Sequence, residues 1–449
     1  MKNPIINLHM VKGRMMKQPL AMKLGAAWRF VWSRCAPPAR QPQSKDSGAF
    51  ATGRYRNLFV EAGRSQVEVT EKINAAFRQL FHGDPGTQAV YYPAGINANG
   101  ALGYIYDPGN QDVRSEGMSY GMMIAVQLNK KTEFDALWNW ARTYMYHDSP
   151  EHPACGFFSW KMNANGSTLD GMPAPDGEEY FAMSLYFAAG RWGNGTGICH
   201  YQAQADRLLT DMRHRRVIKG PTVGGTKAAG ALFDAEHHMV RFTPEVESCD
   251  HTDPSYHLPA FYELWARWGP PADRDFWKNA AAASRDFFQH AANPRTGLTP
   301  EYANFDGTPW TCPWHSRSAD FLFDAWRTAM NWSMDWAWWA RDDREKQLSD
   351  RLQAFFASQG MTNYASQSTP DGTPLSTDHS TGLMAMNAVA SLAATQPRAQ
   401  DFVDELWNAP VPTGQWRYYD GLLYFLGLLH CSGEFRIWPP QTYAPNPSS

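Results

Sequence analysis

The sequence predicts an all-α protein, a ring of six helical hairpins, and three observations carry that prediction. Twelve segments place apolar residues at helical spacing. Strand signals are weak between them. Long glycine- and proline-rich loops stand before alternate segments, which suits hairpins that share one elaborated end. The segments cover residues 69–82, 116–128, 133–147, 178–191, 200–216, 254–268, 273–291, 320–340, 343–358, 380–395, 398–408 and 419–430.

The ends of the chain lie outside this pattern. Residues 1–56 hold eleven Lys and Arg against one acid, Asp46, and include the Pro/Ser/Gln-rich stretch "CAPPARQPQSKDSG", which has little apolar surface to bury. They read as a basic N-terminal extension or an over-extended start, with Met15, Met16 and Met22 as later starts. Residues 57–435 form the predicted domain and 436–449 a tail. Removing the extension's net +10 from the chain's −3 leaves a body at −13, a poor match for nucleic acid or an anionic membrane.

The stretch "LAMKLGAAWRFVW" is interrupted by Lys23 and Arg29 and lacks a clean cleavage pattern, so the expected location is cytoplasmic. The six cysteines are far apart and form no C-x-x-C pair, which argues against a zinc or redox motif. Aromatic residues make up 14% of the chain and include 19 Trp. That surplus suggests flat rings used as stacking platforms.

Acids recur at the helix entrances. In "SEGMSYGM", Ser115 has N-cap chemistry, Glu116 follows it, and Gly117 and Gly121 remove side chains beside the acid, leaving room for a ligand. A capping carboxylate in a favourable helix dipole is the plainer reading of Glu116. Asp176 stands just before the next such helix, in "PAPDGEEYFAMSLYFAAGRWG", and is also readable as a cap. Asp253 precedes Pro254, an arrangement that N-cap plus N1 proline explains without chemistry. In "RSADFLFDAWRTAMNW", Asp320 takes the cap and leaves Asp324 one turn inside the helix, in an apolar setting. It is either an ion-pair partner of Arg327 or a carboxylate projecting into a cleft.

Two carboxylates on opposed walls of an aromatic cleft are the equipment of glycoside hydrolysis. One must be protonated to serve the leaving oxygen and the other ionised. An apolar pocket would raise the pKa of Glu116, and Arg327 would keep Asp324 charged. In order and spacing, "SEGMSYGMMIAVQ", "APDGEEYFAMSLYFAAGRWG" and "FDAWRTAMNW" resemble the three acid-bearing segments of glycoside hydrolase family 8. The likeness runs through roughly residues 57–435, with departures at Pro175, Glu178 and Phe181 that suggest a branch other than the endoglucanases.

The resemblance implies an (α/α)6 barrel and an inverting reaction without a cofactor or metal. It implies Glu116 as general acid, Asp324 as general base and Asp176 as a sugar-binding acid. "TDPSYHLPAFYELW" and "TDHSTGLMAMNAVASLAA" look most like the family's reducing-end xylose-releasing exo-oligoxylanases, in which a loop histidine closes the cleft. His379 is the candidate for that role. Trp160, Tyr256 and Arg327 are further candidate substrate contacts, and a xylo-oligosaccharide is the expected partner.

Three rivals remain at this stage. One is an open-cleft endo-xylanase, endoglucanase or chitosanase of the same family. Another is a sugar isomerase or epimerase, which would need two convergent histidines that no spacing singles out. The third is a non-catalytic oligosaccharide-binding protein, which has no need for Glu116 and Asp324 together.

Overall fold

The computed structural model describes residues 47–441. Most of the predicted extension therefore lies outside the described residues. In chain order the α-helices are α1 (Ala49–Thr52), α2 (Leu58–Glu61), α3 (Gln66–His82), α4 (Ser115–Gln127), α5 (Lys131–Trp140), α6 (Pro175–Trp192), α7 (Tyr201–His214), α8 (Pro259–Trp268), α9 (Arg274–Ala291), α10 (Trp326–Trp339), α11 (Arg344–Gln359), α12 (Thr381–Ala390), α13 (Ala399–Asn408) and α14 (Arg417–Cys431). The last twelve correspond one to one with the predicted segments and form the expected (α/α)6 barrel.

Composition sorts these helices into two layers. The outer helices carry one apolar stripe: α3 buries Val69, Ile73, Phe77, Leu80 and Phe81, and α13 buries Phe402, Val403 and Leu406. The inner helices α4, α6, α8, α10, α12 and α14 are buried on nearly every side, as "GLLYFLGLLH" in α14 shows. Each inner helix packs on neighbouring inner helices and on one or two outer helices. Between α6 and α8 the ring is joined by Tyr180 against Phe261, with centroids 5.2 Å apart. Where α14 meets α12, a Cβ on Gly427 would sit 2.8 Å from that of Ala385, so a glycine is required for the approach.

Chain direction follows from the alternation. All six inner helices run the same way and present their N-termini at one end. The connections into them are long (residues 83–114, 141–174, 215–258, 292–325 and 360–380), apart from the short 409–416. Those leaving them, such as 128–130 and 340–343, are short. The long connections are not all irregular. Residues Tyr91–Asn97 and Gly100–Ile105 pair as a hairpin, and Val113–Arg114, Lys161–Met162 and Thr168–Asp170 form a small sheet.

The packed body extends beyond the expected limits of 57 and 435. Phe50 stacks on Trp339 at 4.3 Å, Arg56 donates to the Leu392 carbonyl, and the Trp438 indole N–H donates to Gln127. These contacts make residues 47–56 and 436–441 part of the fold. Cys155, Cys199, Cys249, Cys312 and Cys431 all carry free thiols. No described helix is long and apolar enough to cross a membrane.

Candidate active site

The six inner N-termini enclose the acids singled out in the sequence. Glu116 lies in the first turn of α4, but Ser115 is not its cap. The cap position falls on Arg114, and the Ser115 N–H is drawn onto the Trp160 carbonyl by the strand pairing that precedes the helix. Asp176 lies inside the first turn of α6, after Pro175 at the helix start. Asp324 is not a turn inside its helix. It occupies a turn before α10, which starts at Trp326, because residues 320–321 are tied instead to Arg317 and Ser368.

One side chain joins all three. Arg327 Nη1 donates to Glu116 Oε2 at 3.1 Å, to Asp176 Oδ2 at 2.7 Å and to the Tyr120 hydroxyl at 2.7 Å, and Nη2 lies 2.8 Å from Asp324 Oδ1. The Arg327–Asp324 ion pair exists, but within a buried network. Arg327 is 1% exposed, and its guanidinium is engaged with the carboxylates. A fixed guanidinium fork suits this work, since its donors cannot be rotated away.

One guanidinium cannot neutralise three carboxylates. Burial pushes the Glu116 carboxyl up to about 7. Arg327 pulls it down, and the charges of Asp176 and Asp324 add to the rise. Burial raises Asp176 as well. The Glu116 side chain is 14% exposed and that of Asp324 26%, so the base candidate sits on the wetter wall. The arrangement therefore holds a protonated acid opposite an arginine-paired carboxylate. A raised acid is protonated below its pKa and inactive as a donor above it. We expect kcat/KM to fall by about tenfold per unit as pH rises through about 7, measurable as the alkaline limb of a pH–rate profile.

The glycines beside Glu116 have a structural explanation that corrects the expected ligand space. A Cβ on Gly117 would lie 2.5 Å from the ring of Tyr418, and one on Gly121 2.7 Å from Ile105. The room is used by Tyr418, whose hydroxyl donates to Glu116 Oε1 at 2.9 Å. Tyr418 and Tyr419, at the start of α14, were not singled out from the sequence. Tyr419 donates to the Phe323 carbonyl at 2.8 Å and lies 3.4 Å from Asp324 Oδ1. The available signal was the one used for the acids, polar groups opening a strongly apolar helix.

Asp253 keeps its structural explanation. It caps the short turn Pro254–Tyr256 by accepting from the Ser255 N–H at 2.7 Å. Its second oxygen has no partner, and burial with the Asp324 charge pushes it well above the usual carboxylate range. Glu301 was also missed. It is buried, its Oε1 lies 3.5 Å from the Asp324 N–H nitrogen, and its Oε2 lies 2.5 Å from His315 Nε2. Burial first, then Asp324, pushes Glu301 up to about 8. No local pattern in "EYANFDG" marks it.

Trp160 is half-buried, just before the strand Lys161–Met162, with Arg114 and Lys161 over its ring. Tyr256 is buried, its ring 5.8 Å from the Arg327 guanidinium. Phe323, next to Asp324, is 47% exposed and packs on Trp326. His379 is not brought to the carboxylates. Its Nδ1 lies 2.9 Å from the Tyr364 carbonyl and its Nε2 2.9 Å from Glu405 of outer helix α13, so both ring nitrogens are committed to the scaffold. The loop itself does border the site, through Phe321 paired with Ser368 and the Trp326 indole on the Ser366 carbonyl.

Comparisons with known proteins place the chain among its relatives. The model of "Glycosyl hydrolases family 8" matches residues 91–433. The reducing-end xylose-releasing exo-oligoxylanase Rex8A of Paenibacillus barcinonensis is 44% identical over 393 residues, 87% of this chain and 98% of that protein. A reducing end xylose-releasing exo-oligoxylanase of Halalkalibacterium halodurans is 43% identical over 398 residues, 88% of this chain and 97% of that protein. The crystal structure of a GH8 xylanase from Teredinibacter turnerae, a catalytic mutant in complex with xylohexaose, is 57% identical with a TM-score of 0.86, over 88% of this chain and 100% of that one.

Proposed function

This chain belongs to glycosyl hydrolases family 8 and is a glycosidase, and we propose that it hydrolyses β-1,4-xylo-oligosaccharides and releases xylose from their reducing ends. The observation that carries the reaction is the convergence of Glu116, Asp176 and Asp324 on one buried guanidinium. The substrate and the reducing-end preference are supported by nearly end-to-end likeness to the two exo-oligoxylanases.

The family is an inverting one. In the proposed step Glu116 gives its proton to the glycosidic oxygen as the bond to the anomeric carbon breaks. A water on the opposite face attacks that carbon and loses its proton to Asp324. Asp176, held by Arg327, hydrogen-bonds the sugar at the cleavage point. Arg327 fixes the three carboxylates without being consumed, so little reorganisation is required during the reaction. Trp160 and Tyr256 are proposed sugar contacts, Trp160 through its half-exposed face.

A second reading, endo-xylanase action, is favoured by two observations. The Teredinibacter turnerae xylanase is more similar in sequence than either exo-acting relative. The His379 ring is bound at both nitrogens, which leaves it no free group for an anomeric hydroxyl.

Product analysis separates the two. Under the exo reading xylotriose gives xylose and xylobiose, reduced xylotriitol resists cleavage, and the first-formed reducing sugar is the α-anomer by proton NMR. Rapid internal cleavage of polymeric xylan would overturn the exo reading in favour of the endo one. First-formed β-anomer would overturn the roles given to Asp324 and its water.

A further inference from the structure

We propose that Trp314 is a stacking platform for a xylose unit remote from the cleaved bond, and that it sets the enzyme's preference for longer chains. This rests on the xylo-oligosaccharide reading above. Trp314 is 57% exposed, more than any other described tryptophan except Trp416. An exposed indole is ordinary when it stands on a loose loop, but this loop is fastened. The Ser318 hydroxyl donates to the Trp310 carbonyl at 2.7 Å and accepts from the Cys312 N–H at 3.0 Å, and the Trp310 N–H donates to the Tyr302 carbonyl at 2.9 Å. The residue after Trp314 is His315, whose ring is 2.5 Å from Glu301, and Glu301 in turn meets the Asp324 backbone. The indole is thereby held at a set position relative to the proposed base.

A column of rings runs from the same indole back to the catalytic centre. Trp314 meets Trp310 edge to face at 5.9 Å, and Trp310 stacks on His251 at 3.7 Å. His251 stacks on Phe242 at 5.1 Å, and Phe242 on Tyr256 at 5.9 Å. Tyr256 lies 5.8 Å from the Arg327 guanidinium. His251 is buried between the rings of Trp310 and Phe242, with its Nδ1 3.7 Å from Asp250 Oδ1, and serves this column as a flat spacer. The column supports the indole through its edge-to-face contact with Trp310 while more than half of the residue stays open to solvent. A flat, neutral sugar is the occupant that suits such a surface. Xylopyranose lacks the hydroxymethyl branch that would lift its ring from the indole, and a neutral ligand needs no counter-charge.

The test compares kcat/KM for xylohexaose and xylotriose in the wild type, Trp314→Ala and Trp314→Phe. Removing the ring should lower the xylohexaose-to-xylotriose ratio by about 2- to 10-fold, the range of a single aromatic stacking contact, and the phenyl ring should restore part of it. The same pair of sugars is titrated against Glu116→Gln with and without Trp314→Ala, with the affinity ratio expected to move alike. An unchanged ratio in both assays overturns the proposal. A wild type that cleaves neither sugar overturns the function reading instead, and the binding titration still decides the role of Trp314.

Discussion

Asp324→Asn is expected to lower kcat by about 10²- to 10⁴-fold, with KM changed only a few-fold and the helical circular dichroism unchanged. The amide keeps an oxygen for Arg327 Nη2, so the turn before α10 should survive, and only the ability to take a proton from water is lost. The loss should be the same for a natural xylo-oligosaccharide and for an aryl glycoside, because both need an activated water. Near-wild-type kcat would move the base to another group. Asp253 is the alternative, with one unpartnered oxygen and the Asp324 charge acting on it. Burial and the Asp324 charge raise its pKa, and its other oxygen is spent on the Ser255 N–H, which are the physical reasons for preferring Asp324.

Glu116→Gln should be comparably damaging on natural substrates, but with a different signature. A glutamine can accept from Arg327 Nη1 and donate to the Tyr418 hydroxyl, so the packing is retained while the transferable proton is removed. A leaving group that departs as a stable anion needs no proton. Activity on a nitrophenyl xylo-oligosaccharide should therefore recover most of the loss, and the alkaline limb near pH 7 should disappear from its profile. Equal damage on both substrates would remove Glu116 from the role of acid.

The barrel was legible because helical periodicity is a local property. All twelve long helices recur, with limits up to seven residues from those expected, and the inner set is recognisable by its apolar run. Local reading failed where a distant partner decides. The apolar spacing of Phe321, Leu322, Ala325 and Trp326 continues that of α10, so periodicity alone carried the helix back to Asp320. The pairing of Phe321 with Ser368 takes those residues out of it. Gly117 is explained by Tyr418, some three hundred positions later in the chain. His379 was placed in the correct loop, but the direction of its ring is set by Glu405 on a helix that follows. Glu301 acts on Asp324 through the backbone, an interaction with no residue pattern.

The unequal connections of the barrel bear on how the enzyme can be handled. The carboxylates stand at the end where the long connections gather, and the opposite end consists mainly of short turns. Asp343 lies in the turn between α10 and α11, with its side chain 76% exposed, at the end away from the carboxylates. A tether to a solid support through that position leaves the mouth of the barrel facing the liquid. A tether in the 310–318 loop turns the mouth toward the support. The molecule thus comes with a built-in orientation for immobilised use, set by the common direction of its inner helices.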